Sequence, residues 1–247
     1  MDNVKKNKWF IAIKERGEYL FDVRDLKIIE PAPGTYHADP FLFRDLIFFE
    51  LYDYQKGVIA VMDKQGCNIR TILKQPWHLS FPFIIEEGEN VYMIPESAPN
   101  GTLDLYQCKD FKAQQWEFVK TLLRGAFADT TIIKKDNEFW MFTTEGNNNL
   151  RIYKAKAITG PWDLMVSDAY MHSRGAGNIF EMDGKLVRPT QDGEVYGKQI
   201  YIKEIGLNPY REKQEDMIYP TWFPGLTGTH TFNFDKTHVV VDGRIKI

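Results

Sequence analysis

The sequence holds only two cysteines, Cys67 and Cys108, among its 247 residues. Two thiols are too few for a disulfide framework or a thiolate zinc site. No apolar run approaches the roughly 18 residues that a membrane-spanning helix needs. The opening MDNVKKNKWF lacks the apolar stretch of a secretory signal, which predicts a cytoplasmic protein. Neither sign of charge dominates: 31 Lys and Arg stand against 34 Asp and Glu, a formal net charge of −3. Without a basic block, nucleic acid and anionic membrane are excluded as main partners. Hydrophobic residues, by contrast, make up 43% of the chain and aromatics 14%, which excludes global disorder. The expectation is one globular unit over residues 1–247.

What the chain does contain is a repeat. His37-Ala-Asp-Pro-Phe-Leu-Phe43, Leu79-Ser-Phe-Pro-Phe-Ile-Ile85, Phe127-Ala-Asp-Thr-Thr-Ile-Ile133 and Gly175-Ala-Gly-Asn-Ile-Phe180 align with one another, and Gly228-Thr-His-Thr-Phe-Asn-Phe234 is a fifth copy. Pro40, Pro82, Thr130 and Asn178 follow one another at 42, 48 and 48 residues. A period of about 40–50 residues is that of propeller blades. Each copy is followed by a turn and further apolar segments rich in β-branched and aromatic residues, several of them alternating, as in Leu103-Asp-Leu-Tyr106. The unit therefore reads as a four-stranded antiparallel meander, with fourth strands at Asn68–Leu73, Trp116–Leu122 and Trp162–Val166. The chain ends after only a second strand of the fifth copy, whereas Lys8–Lys14 reads like a third strand. This predicts an all-β, five-bladed propeller closed by a blade shared between the two ends of the chain. Asn208–Pro224 reads as an insertion or long loop, and no helix beyond a turn or two is expected. A β-sandwich is the alternative, and the repeated inner-strand motif weighs against it.

In such a ring the inner strands converge on a channel. His37, Asp39, Ser80, Asp129, Arg174, Asn178 and His230 stand at or near their starts, while Glu50, Glu96, Glu145, Gln191 and Asp242 recur at the end of the second strand. Polar groups gathered there make a concave pocket, the default binding site. Paired carboxyl groups suit glycosidic chemistry, one protonating the leaving oxygen and one activating water. Asp39 and Asp129 are the leading channel carboxylates, with Glu96 and Glu145 behind them. Each has an ordinary alternative as a turn cap or a tie between blades. His78 and His238 read as structural, and Glu50 as a solvated strand end.

These motifs resemble glycoside hydrolase family 43 and its five-bladed relatives. Ala38-Asp-Pro-Phe41 is similar to that family's first-blade motif, whose Asp is the general base. Ala128-Asp-Thr-Thr131 resembles the third-blade element whose Asp tunes the acid. Gly228-Thr-His-Thr-Phe232 resembles the segment whose His faces a channel metal, often calcium. The resemblance thus implies His230 as a metal ligand. The family's general-acid Glu belongs at the start of the fourth blade, where this chain reads Ser173-Arg-Gly-Ala-Gly-Asn178. Either Glu96 or Glu145 then supplies the proton, or hydrolysis of the usual kind is absent.

A closer resemblance rests on Arg174-Gly-Ala-Gly177, Arg188-Pro-Thr-Gln-Asp192 with Tyr196-Gly197, and His230-Thr-Phe-Asn233 with Val241-Asp-Gly243. These strings are similar to the N-terminal propeller domain of glucosamine inositolphosphorylceramide transferases. They imply a carbohydrate or glycoconjugate ligand and a glycosyltransferase partner. His37, Ser80, Arg174, Asn178, Arg188, Gln191, Tyr196 and His230 are the expected substrate-binding residues. A guanidinium presents a planar donor fork suited to carboxylates, phosphates or vicinal hydroxyls. Three functions remain open: a family 43-like hydrolase or transglycosylase, a non-catalytic module that recognises a glycan, nucleotide sugar or glycolipid headgroup, and a scaffold that docks a transferase through a propeller face.

Overall fold

The structure, a computed structural model, describes residues 7–146 and 148–246. Blade one comprises β3 (Tyr36–Phe43), β4 (Leu46–Tyr52), β5 (Gly57–Asp63) and β6 (Arg70–Leu73). Blade two comprises β7 (Ser80–Glu87), β8 (Asn90–Glu96), β9 (Thr102–Asp110) and β10 (Gln115–Arg124). Blade three comprises β11 (Phe127–Lys135), β12 (Glu138–Glu145), β13 (Asn149–Ala155) and β14 (Asp163–Ala169). Blade four comprises β15 (Phe180–Met182), β16 (Lys185–Gln191), β17 (Ile200–Leu207) and β18 (Tyr210–Ile218). In each, consecutive strands pair antiparallel. Among the described residues the helical content is one 3-10 turn, Ala98–Asn100.

The fifth blade closes the ring as the repeat predicted. β19 (Leu226–Gly228) and β20 (Phe232–Phe234) pair with β21 (His238–Lys246), which pairs with β1 (Asn7–Glu15) and through it with β2 (Lys27–Ile29). The β1–β21 ladder runs unbroken from Asn7↔Lys246 to Glu15↔His238.

The core is a set of layers between blades. Phe41, Phe48, Phe83, Met93, Phe127 and Met141 fill the space among blades one to three. Trp140, Phe142, Leu150 and Leu186 join blades three and four. Val187, Ile202, Phe232 and Val241 join blades four and five, and Ile11, Val240, Ile47 and Phe49 join blades five and one. Strands within a blade are thus covered on both faces and can read as continuous apolar runs, as in the almost wholly buried β5. Outer strands face water: β14 carries one half-buried residue among exposed ones. This corrects the reading of Asn208–Pro224 as an insertion. Tyr210–Ile218 is the fourth strand of blade four, and its polar run Arg-Glu-Lys-Gln-Glu-Asp hid it because an outer strand has little to bury.

β3, β7 and β11 share one irregularity. Register breaks between Ala38 and Phe41, between Ser80 and Phe83, and between Ala128 and Thr131. Asp39 (φ 52°), Phe81 (φ 44°) and Asp129 (φ 50°) occupy the left-handed region at these bulges. Asp enters that region more readily than other side chains because its short polar group bonds locally. A bulge adds one residue, bends the strand and re-aims a side chain.

Candidate functional site

The bulges deliver two carboxylates to the ring centre. Asp39 is 5% exposed and Asp129 3%. Asp39 links three blades: Oδ2 accepts the Phe81 amide (3.2 Å), Oδ1 accepts the Thr231 hydroxyl (2.9 Å), and its own amide donates to Asp242 Oδ2 (3.2 Å). Asp129 links the others. Its amide donates to Glu96 Oε2 (3.1 Å), and its Oδ2 accepts Arg174 Nε (2.5 Å) and Gln191 Nε2 (3.0 Å). Arg174 Nη2 also stands 3.8 Å from Glu96 Oε2. Arg174 of the fourth-blade segment therefore lies between the two acids of blades two and three.

The second-strand positions divide by register. Ala38 pairs with Glu50 and Ser80 with Glu96, so both glutamates face inward beside the bulge. In blade three Ala128 pairs with Thr144, and Glu145 falls one residue further along, opposite Phe127. A one-residue offset reverses the side chain. Glu145 accordingly pairs with Arg151 (2.8 Å), with 46% of its side chain exposed, and does not join the centre.

His230 is buried against Trp9, with stacked rings 4.0 Å apart, and Tyr196 meets it edge-on at 5.5 Å. Its Nδ1 lies 2.5 Å from Asp242 Oδ2. Tyr196 itself remains half exposed and receives the Arg174 guanidinium 5.2 Å from its ring centre. Arg174 and Tyr196 also border a cavity of about 150 Å³ with Asp192, Gly193 and Glu194.

Crowding shifts these groups apart. Burial pushes the Glu96 carboxyl up to about 8, the Asp129 charge adding to it and Arg174 opposing. Burial raises Asp39 to about 6, held back by His230 and pushed by Asp242 and Asp129. Glu50 is driven well above its ordinary value by burial and by the charge of Asp39. For His230 burial favours the neutral ring, yet the neighbouring Asp242 wins and its value rises. Arg174 keeps its charge despite burial because Asp129 and Glu96 flank it.

Of the remaining expected ligands, Gln191 reaches the centre through Asp129 and the Gly175 carbonyl (2.7 Å). Ser80 is buried opposite Glu96 in register. His37 turns away into the core against Phe49, and burial lowers it to about 4. Asn178 ties blades together: its amide donates to Asn233 Oδ1 (2.8 Å), whose Nδ2 donates to the Pro40 carbonyl (2.8 Å). Arg188 lies between blades three and four, over the Phe142 ring, and not at the centre. Glu50 and His78, read as a solvated strand end and a structural residue, are neighbours at the blade one–two boundary. His78 Nδ1 accepts the Gly57 amide (2.9 Å), and its Nε2 lies 3.3 Å from the buried Glu50 Oε1. The signal for Glu50 was present, since it recurs with Glu96 at the same blade position.

Asp39, His230 and Asp242 offer ligand atoms within 4.8 Å of one another, the set nearest to the expected calcium site. Calcium takes six to eight oxygen ligands. Here Asp242 Oδ1 already accepts the His230 (2.8 Å) and Thr231 (3.0 Å) amides, while Oδ2 serves Asp39 and His230 and both Asp39 oxygens are engaged. A cluster whose acceptor oxygens are already taken by protein donors does not fit the ion.

Comparison with known proteins agrees with the ring. The family described as "Glucosamine inositolphosphorylceramide transferase 1, N-terminal" matches residues 27–238. The Arabidopsis thaliana glucosamine inositolphosphorylceramide transferase 1 is 28% identical over 231 residues, covering 83% of this chain and 30% of that protein. The chain thus spans under a third of the curated relative's length. Among solved structures, an α-L-arabinofuranosidase from Podospora anserina in complex with cellotriose superposes with TM-score 0.64 at 9% identity, covering 95% of this chain and 97% of that one. A family 117 glycoside hydrolase from Zobellia galactanivorans gives TM-score 0.57 at 8% identity over 98% and 91%. At such identities the likeness is one of fold.

Proposed function

Because the chain belongs to the family of the N-terminal domain of glucosamine inositolphosphorylceramide transferase 1, we propose that it is a sugar-recognition unit of glycoconjugate assembly that binds a neutral or amino sugar at the channel mouth without cleaving it. The observation that carries this reading is Arg174, bonded to Asp129 and 3.8 Å from Glu96 at the place where a hydrolytic acid is expected. A guanidinium there holds the carboxylates as a fixed lattice of acceptors.

The balance of charge supports the ligand class. Asp39, Asp129 and Asp242 outnumber Arg174 and His230 beside them, and a phosphate would meet repulsion. With Glu96 retaining a proton at neutral pH and burial driving Glu50 well above its ordinary value, the mouth presents both donors and acceptors to hydroxyl or ammonium groups. The half-exposed ring of Tyr196 offers an apolar face to a sugar. Glucosamine, in the family's name, belongs to this class. A glycosyltransferase is the partner this role calls for.

Hydrolysis is the second reading, favoured by the divided carboxyl values. At pH 7 Glu96, near 8, keeps a proton to give, and Asp39, near 6, is mostly ionised and able to take one. Binding to immobilised neutral, amino and phosphorylated sugars, followed by prolonged incubation, separates the two. The expected result is retention of neutral or amino sugars with no new reducing ends, and a loss of about tenfold or more in Tyr196→Ala. Unchanged retention in both Tyr196→Ala and Arg174→Ala overturns the site. Sugar release that disappears in a folded Asp39→Asn protein replaces recognition by hydrolysis.

A further inference from the structure

Arg188 is 1% exposed, and its guanidinium carbon lies 5.4 Å from the centre of the Phe142 ring. Its register partner on β17 is Lys203, itself 5% exposed, so two cations face each other across neighbouring strands. Lys203 Nζ donates to Glu212 Oε1 (2.5 Å) and to the Met171 (2.9 Å) and His172 (3.0 Å) carbonyls. Glu212 also accepts the Tyr210 hydroxyl at 2.7 Å. Arg188 Nη2 donates to the Ser173 carbonyl. Its Nε and Nη1 have no hydrogen-bond partner among the described residues, and neither do Ser173 Oγ and Thr190 Oγ1. Ser173 and Thr190 are both 0% exposed. Thr190 lies two residues from Arg188 along β16, on the same face.

Two cations and one carboxylate therefore share an enclosed layer. Like charges directly opposed across strands repel, and a buried guanidinium without a counter-charge is costly. Three backbone carbonyls offset part of this. The four unpartnered atoms can all donate a hydrogen bond, a set that suits an anion and repels a cation. We propose that Arg188, Ser173 and Thr190 bind a small monovalent anion of chloride size between blades three and four. The lining residues are 0–1% exposed, which selects for a small ion. The anion offsets the excess charge, and it sits behind the Met171–Ser173 segment that leads into Arg174. The site is independent of the sugar reading.

The test is thermal unfolding of the full chain at fixed pH and ionic strength, with sodium gluconate exchanged for sodium chloride. Binding to the folded state alone raises Tm with the logarithm of chloride concentration. Bromide should substitute, giving an anomalous peak beside Arg188 in a soaked crystal. Thr190→Val removes one donor and keeps the cation; it should need on the order of tenfold more chloride for the same rise. Arg188→Met, where it folds, should lose the response. Equal Tm in chloride and gluconate overturns the site, as does ordered water with no bromide beside Arg188. A chloride response unchanged in Thr190→Val also overturns it.

Discussion

Five carboxyl groups at the ring centre are kept compatible by a few shared cations and by protonation. Asp129 has Arg174 at 2.5 Å, and Asp242 has His230 at 2.5 Å. Glu96 instead takes up a proton, its value rising to about 8. The consequence for stability has a definite sign. A carboxyl whose folded value exceeds its unfolded one binds more protons when folded, so stability falls as pH rises between the two values. Glu96→Gln keeps an acceptor for the Asp129 amide and removes the ionisation. Its Tm should match wild type near pH 4 and exceed it by a margin that widens from about pH 5 to 8, as followed by circular dichroism. A constant margin across that range would contradict the assignment. Candidates that proved to be elsewhere were illegible for a common reason. Residue type marks His37 and Arg188 as ligands, but only packing turns one onto Phe49 of its own blade and the other onto Phe142 of the preceding blade.

At the scale of the strand, the site depends on where the bulge falls. Three inner strands carry a left-handed residue at one matching position, and the fourth inner segment carries Gly177 at φ 145°. A Cβ on Gly177 would stand 1.9 Å from the Phe232 carbonyl oxygen, a backbone atom that cannot move aside cheaply. Gly177→Ala should therefore cost about 3 kcal/mol or more, measured by urea denaturation, and should open the blade four–five junction first in hydrogen exchange. The same geometry explains Glu145. Sequence alignment by motif placed it with Glu50 and Glu96, and bulge register placed Thr144 there instead. Alternation has a period of two, so an alignment correct to one residue can still put a side chain on the wrong face. β18 was missed for the opposite reason, because an outer strand carries no apolar alternation to detect.

Across the whole molecule, closure is the largest single commitment. The β1–β21 ladder joins the two ends of the described chain, and Ile11, at 0% exposure, packs from β1 into the layer shared with blade one. Ile11→Ala should cost about 3 kcal/mol by the transfer and cavity cost of a buried aliphatic side chain. Removing residues 1–15 should do more, exposing the edges of β21 and β2 together. That protein should lose the single cooperative transition in calorimetry and enter larger species in size-exclusion chromatography. A truncated chain that unfolds like the parent would show that the fifth blade does not hold the ring.

The repeat, its period of 42 to 48 residues and the displaced third strand at Lys8–Lys14 are properties of order along the chain, and they determined the five-bladed ring and its closure. They also marked Asp39, Asp129, Glu96, Arg174 and His230, since matching blade positions meet on one axis. Which carboxyl is pushed toward its protonated form, which arginine faces the centre, and how His230 meets Asp242 were decided only by tertiary structure. Those outcomes depend on burial and on distances such as the 2.5 to 3.8 Å from Arg174 to Asp129 and Glu96 of other blades, and such distances come into being when the blades pack.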